Sequence, residues 1–485
     1  MKFDKNNPWL VGIGVGVVSG LMAGLLVGVI FLHREERLKE SLRMTRLKFA
    51  DRCLKAGLAE DALEIYDDVL EREGAKDGNL YAHMRNQTAR CYLCLAKKGS
   101  ETTRNLIRAA VAFEEGIRSL KGKKCSELFY GELELSGTYW SLAWFQEAEA
   151  NIARAVELFE HVIKAYPELR YSWPVVLMGI SPGDDLFTTV DPEFPNIEKD
   201  IKKAIQHGEE TLKVCTKEKY PIAYALVQGS LGFYHLELAY FEDKTGNLNK
   251  SVEEFEEALK IFTAQEYPLN YIDLNSGVAL AYLYLSDVSD RINNIGYAIE
   301  RLERALATAN LETYPAKHAQ TQQCLAFAYW KLSLSGEQQE NLTKAIAYCN
   351  NALKVWGESK TPFEYAEAQY LLGNMYFELS RIEQEDVNTA KAVDCFEKAV
   401  HAFESCKTDK GTVRYASVQG LLGYVYLNLS RMKDKEVNIT KAVKAFERAL
   451  NVLSAEKQPR VYRRVKRVLQ HAKEAEKVAG EEPGK

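Results

Sequence analysis

Apolar and small residues along this chain fall on a helical period, not an alternating one. Tyr224, Leu231, Gly232 and His235 return as Tyr271, Val278, Ala279 and Tyr282. They return again as His318, Leu325, Ala326 and Tyr329, as Tyr365, Leu372, Gly373 and Tyr376, and as Tyr415, Leu422, Gly423 and Tyr426. Steps of seven, one and three residues keep these positions close on a helix surface. A second apolar stretch follows each set: Phe255, Leu302, Cys349, Phe396 and Phe446, with Ala258, Ala305, Ala352, Ala399 and Ala449 three residues later. Large residues at this spacing predict core contacts, and small ones predict close helix crossings. The pattern therefore predicts helix pairs, repeated in tandem.

Each second helix is introduced by Asn: Asn105, Asn151, Asn247, Asn294, Asn341, Asn388 and Asn438. The steps from 247 to 388 are 47 residues each, the last is 50 and the first is 46. Such a period predicts a stacked solenoid, whose units bury their apolar faces only against neighbours. The Asn is expected to cap its helix by accepting from a free amide of the first turn. Three residues on, six of the seven segments are basic: Arg108, Arg154, Lys250, Lys344, Lys391 and Lys441. These predict a basic ladder along one edge, paired with Glu of the same or a neighbouring unit. Ala62, Leu63, Tyr66, Val69 and Leu70, then Ala109, Phe113, Gly116 and Ile117, continue the second-helix pattern toward the N-terminus.

Three segments break the rhythm. Five of the twelve prolines lie between 167 and 195, which prevents a continuous helix there. This break is either a binding loop or a hinge. From Pro459 the chain begins a first helix (Tyr462, Leu469) with no partner after it, rich in Arg460, Arg463, Arg464, Lys466 and Arg467. It predicts a capping helix that solubilises the open end. Trp9 to Leu32 is a run of 24 residues without a charge, long enough as a helix to span a hydrocarbon core of about 30 Å. Its five glycines, Gly12, Gly16, Gly20, Gly24 and Gly28, fall every fourth residue and predict a face for self-association. Lys2 and Lys5 precede the run, whereas Arg34, Arg37, Lys39, Arg43, Arg46 and Lys48 follow it, which favours a cytoplasmic C-terminal side. The domains expected are a tail (1–8), a transmembrane helix (9–32), a basic stem helix (33–48), N-terminal repeats (49–165), a proline-rich interruption (166–199), regular long repeats (200–458), the capping helix (459–478) and a disordered tail (479–485).

Leucine, a small residue and tyrosine on one helix, then Ala, Phe and Ala on the next, form the signature of tetratricopeptide repeats. The chain resembles that family over roughly residues 49–473, in a lengthened form, since the usual unit has about 34 residues. The resemblance implies an all-α helix-hairpin solenoid that binds protein partners. In the family the inner groove is lined by set positions of the first helices, which here include Phe233, Phe327, Trp330, Tyr370, Phe377 and Tyr424. That groove would suit an apolar or amphipathic segment. Members that clamp acidic C-termini use Lys, Arg and Asn at such positions, and here only Asn374 matches. The rival placement of these aromatics is inside the stack.

Composition changes this picture little. Hydrophobic content of 46% with 27% charged residues is that of a folded chain, and a net charge of -5 argues against a nucleic-acid partner. Nine scattered cysteines do not form a disulfide framework. Cys91 and Cys94 make a single CxxC without two further ligands nearby, so core packing is expected and no metal. No phosphate loop, HExxH or GxSxG motif occurs, so neither catalysis nor a cofactor is expected. The sequence thus reads as a single-pass membrane protein in a lipid bilayer. Its self-associating, homo-oligomeric scaffold would hold protein partners in the cytoplasm. The alternative is a receptor or assembly factor for import, export or envelope biogenesis that handles client segments transiently.

Overall fold

A computed structural model describes residues 41–73, 78–98, 101–120, 123, 125–143, 145–165, 197–406, 409–454 and 459–481. Among them every regular element is an α-helix. They are α1 (41–55), α2 (Ala59–Glu73), α3 (Gly78–Lys97), α4 (Thr102–Ser119), α5 (Ser126–Ala143) and α6 (Ala148–Ala165) in one compact unit. The second unit holds α7 (Ile197–Val214), α8 (Pro221–Leu238), α9 (Lys244–Leu259), α10 (Pro268–Leu285), α11 (Arg291–Thr308), α12 (Pro315–Ser333) and α13 (Gln338–Ala352). It continues with α14 (Pro362–Ser380), α15 (Glu385–Ser405), α16 (Asp409–Leu429), α17 (Lys435–Val452) and α18 (Pro459–Glu481).

In the first unit α1 runs unbroken across position 48 and packs as a first helix. Leu47, Ala50 and Cys53 share a core with Ala59, Ala62, Tyr66 and Val69 of α2 and with Met84 and Cys91 of α3. α1 and α2 meet at Gly57, whose φ of 79° glycine adopts without a Cβ clash. Cys91 is fully buried in this core, and burial pushes its thiol up to about 12.

In the second unit most first helices begin at a proline: Pro221, Pro268, Pro315 and Pro362 each occupy the first turn after an extended Tyr or Thr. Proline lacks the amide that would be orphaned there and presets the helical φ. The Tyr-Pro pairs that lengthen the repeat thus start the next first helix.

Second helices begin differently from the expected Asn cap. The residue before each is left-handed although it is not glycine: Glu101, Glu147, Asp243, Asp290, Glu337, Gln384 and Asp434, with φ between 34° and 48°. The Asn comes four residues later, already inside the helix. Its side chain donates backward to the carbonyl five residues earlier, as Asn151, Asn247, Asn294, Asn341, Asn388 and Asn438 do at 2.6 to 3.0 Å. It locks the tight turn between the helices, where a carbonyl would otherwise lose its partner.

The basic ladder also has a different partner. Arg108, Arg154, Lys344, Lys391 and Lys441 each sit over the ring of a first-helix tyrosine, respectively Tyr92, Tyr139, Tyr329, Tyr376 and Tyr426, at 5.1 to 5.7 Å. Lys344 pairs with Glu340 as well. Tyrosine lies across the hairpin at one helical turn's reach, and its ring face attracts the cation. Where His235 replaces the tyrosine, the contact becomes a hydrogen bond between His235 Nδ1 and Glu254 at 2.8 Å.

Each hairpin is closed by matched volumes. A Cβ on Gly232, Gly373 or Gly423 would stand 2.6 to 2.8 Å from the ring of Phe255, Phe396 or Phe446. Where the second helix carries Leu302 or Cys349, the facing position is Ala279 or Ala326, buried like its partner. In these five hairpins of the second unit, glycine appears where the opposite side chain is a ring, and alanine where it is smaller.

The expected single-pass membrane placement is corrected. Among the described residues no helix is long and apolar enough to cross a membrane. Even the apolar α8 carries His235 and Glu237, and its apolar side chains are buried against neighbouring helices. The run 9–32, with Gly12, Gly16, Gly20, Gly24 and Gly28, lies outside the described residues, as do 166–196 of the proline-rich break.

Candidate functional site

In the second unit each second helix packs on its own first helix and on the next one, while consecutive first helices also touch each other. The first helices therefore form the inner side of this array. Ion pairs tie one to the next: Asp273 to Lys317 and Asp287 to Lys331, both at 2.6 Å, and Glu367 to Arg414 at 2.9 Å.

The six aromatics read from the sequence separate into two groups. Phe233 is half-buried and stands edge-on to Phe255 at 4.7 Å, and half-buried Tyr370 lies 6.3 Å from Phe396. These two lean toward second helices of their own hairpins. Phe377 and Tyr424 meet across α14 and α16 at 6.1 Å, and the Arg381 guanidinium lies 5.0 Å over Phe377. Tyr424 remains 46% exposed, so its ring is available to a ligand. Phe327 and Trp330 are half-buried neighbours on α12 at 5.8 Å, with the Lys331 ammonium 5.8 Å over Phe327. The buried Trp330 indole nitrogen has no hydrogen-bond partner among the described residues.

A second cluster was not foreseen. Tyr240, one residue beyond the C-cap of α8, and Tyr284 of α10 stand edge to face at 5.5 Å, and their hydroxyls are hydrogen-bonded. Arg414, in the first turns of α16, acts electrostatically on Tyr240, Tyr284 and Tyr370 alike. Glu237, Tyr284 and Tyr370 all keep partial exposure, yet burial is the first cause holding their pKa values above the ordinary range. The sequence signal for this cluster was faint. Glu237, Tyr284, Lys331 and Glu378 occupy one repeat position, and the next turn holds Tyr240, Asp287, Leu334 and Arg381. Only the lack of a repeated residue type marks these positions in an otherwise regular array.

The chemistry available is that of binding. Burial pushes the thiols of Cys324 and Cys349 well up and that of Cys395 to about 12, so they are held as thiols rather than as nucleophilic thiolates. No group of His, Cys, Asp and Glu among the described residues is arranged to hold a metal ion.

No family model matches the chain, and no curated protein matches it. Among solved structures it is similar to the C-terminal part of a TPR repeat-containing protein from Cytophaga hutchinsonii. That match is 14% identical and covers 75% of this chain and 97% of that one, with a TM-score of 0.31. It is similar to a Rap protein complexed with Competence and Sporulation Factor, at 14% identity over 89% of this chain and 98% of that one, with a TM-score of 0.33. A third is a signal-transduction ATPase with a tetratricopeptide repeat sensor from Pyrococcus horikoshii, 15% identical over 84% of this chain, with a TM-score of 0.37. This chain covers 57% of that last protein. The described residues of the chain themselves form tandem helix hairpins.

Proposed function

We propose that the protein is a non-enzymatic binding module whose second unit takes up a segment of a partner protein along its inner face. One observation carries this reading: partly exposed tyrosines of two first helices, Tyr284 of α10 and Tyr370 of α14, both lie within electrostatic reach of Arg414 of α16. Phe327, Trp330, Phe377 and Tyr424 extend that lining with aromatic surface, which suits the apolar positions of an amphipathic segment. Ion pairs between successive first helices hold the lining in place before the partner arrives, which lowers the ordering cost of binding.

A photo-crosslinking amino acid placed at Tyr240 or Tyr424 tests this against one placed at Val387 on α15, which is 49% exposed. Partner crosslinks from the two inner positions and none from Val387 are expected. Equal labelling from Val387 would refute binding through the inner face.

A further inference from the structure

Glu237 differs from the paired charges of the inner face. Asp287 is paired with Lys331 at 2.6 Å and lies 4.0 Å from Lys244. Glu367 is paired with Arg414, Asp273 with Lys317, and Glu378 with Arg381 at 3.1 Å. The Glu237 carboxyl makes no ion pair or hydrogen bond among the described residues. Burial is the sole cause acting on its carboxyl, which is held above the ordinary range with no cation offsetting it. A partly buried carboxylate that has no cation paired to it is costly to the fold. One turn further on, Tyr240 is 41% exposed and stands edge to face with Tyr284 at 5.5 Å. A carboxylate one turn from a tyrosine pair supplies the ion pair and the π faces that a guanidinium or ammonium group seeks.

We propose that Glu237, Tyr240 and Tyr284 form a pocket for one Arg or Lys side chain of the partner segment. This rests on the inner-face reading above and adds the chemistry that selects the segment. The charge left over on the protein is negative, so the occupant brings the cation. Arg or Lys satisfies the pocket without disturbing the Asp287 and Glu367 pairs, which already have their partners.

The test begins with a phage-displayed library of random peptides selected on the full chain. The enriched peptides are then synthesised with a fluorophore and titrated against the wild type, Glu237→Gln and Glu237→Asp. Arg or Lys is expected at one fixed place in the enriched peptides. Their affinity should fall roughly tenfold or more for Glu237→Gln and recover in part for Glu237→Asp. Changing that basic residue to Ala should weaken wild-type binding by a similar factor and leave binding to Glu237→Gln nearly unchanged. Enriched peptides with no basic preference, or equal affinity for Glu237→Gln, overturn the pocket and leave inner-face binding standing. A library that enriches nothing on the wild type overturns the inner-face reading and the pocket with it. Circular dichroism of each variant confirms that the helices are intact, so a loss of affinity reports on the pocket.

Discussion

Substituting Gly373 by Ala probes how each hairpin is closed. The new Cβ would lie 2.7 Å from Cε1, 2.8 Å from Cδ1 and 3.0 Å from Cζ of Phe396. Carbon atoms in contact prefer about 3.5–4.0 Å, so the methyl intrudes by nearly 1 Å on a ring that is itself 1% exposed. Overpacking of this kind costs about 1–3 kcal/mol. Alanine in a helix interior returns about 1 kcal/mol over glycine, so the net loss should fall between about 0 and 2 kcal/mol. The single variant is therefore a weak test, and the pair is a strong one. Phe396→Leu alone leaves a void beside Gly373, while the double variant recreates the Ala279 and Leu302 pairing already present in α10 and α11. The double variant should be more stable than the sum of the singles by about 1–3 kcal/mol. Because a repeat array need not unfold in one step, native-state amide exchange in α14 and α15 is the suitable readout. Additive effects of the two substitutions would show that the glycine does not exist to admit the ring. Leu302→Phe should likewise destabilise α10 and α11 unless Ala279→Gly accompanies it.

The left-handed residues that open the second helices are strained, so Gln384→Gly should raise the melting temperature, by a stabilisation of about 0.5–1 kcal/mol, where a change at an exposed mid-helix site would lower it. Asn341→Ala removes the donor to the Gly336 carbonyl and should cost about 1–2 kcal/mol in chemical denaturation. Asn341→Asp should cost more, because it points an acceptor at that carbonyl. A double-mutant cycle of Tyr376→Leu with Lys391→Met should return a coupling of about 0.5–1 kcal/mol, the worth of the cation over the ring. Burial raises the Glu237 carboxyl, so its uncharged form is favoured in the folded state and its ionised form is penalised. That penalty is absent below the ordinary carboxylate range and grows as pH rises through and above it. Glu237→Gln should therefore raise the melting temperature at neutral pH and not in acid, and a gain of the same size at both pH values refutes the assignment.

The beat of Asn at 247, 294, 341 and 388, and the leucine, small residue and tyrosine on each first helix, were enough to give the helices, their pairing and their core faces. A solenoid makes this possible because each unit contacts only its neighbours, so a local pattern specifies a local contact. Where the reading from sequence failed, chemistry permitted two answers and geometry chose one. Asn can accept as a cap or donate into a turn, and a left-handed residue four positions earlier places its amide against a carbonyl. Lys391 can pair with a glutamate or cover a ring, and the hairpin puts Tyr376 beneath it. The six aromatics were found as one set, yet only the packed helices separate the exposed Tyr424 from Phe233, which turns back toward Phe255. The cluster of Glu237, Tyr240 and Tyr284 with Arg414 was beyond the reach of any pattern. Its members come from the end of α8, from α10 and from α16, and Arg414 acts on both tyrosines across several hairpins of sequence. No single repeat encodes that reach, so the sequence by itself determined the hairpins, and only the tertiary structure decided what they bring together.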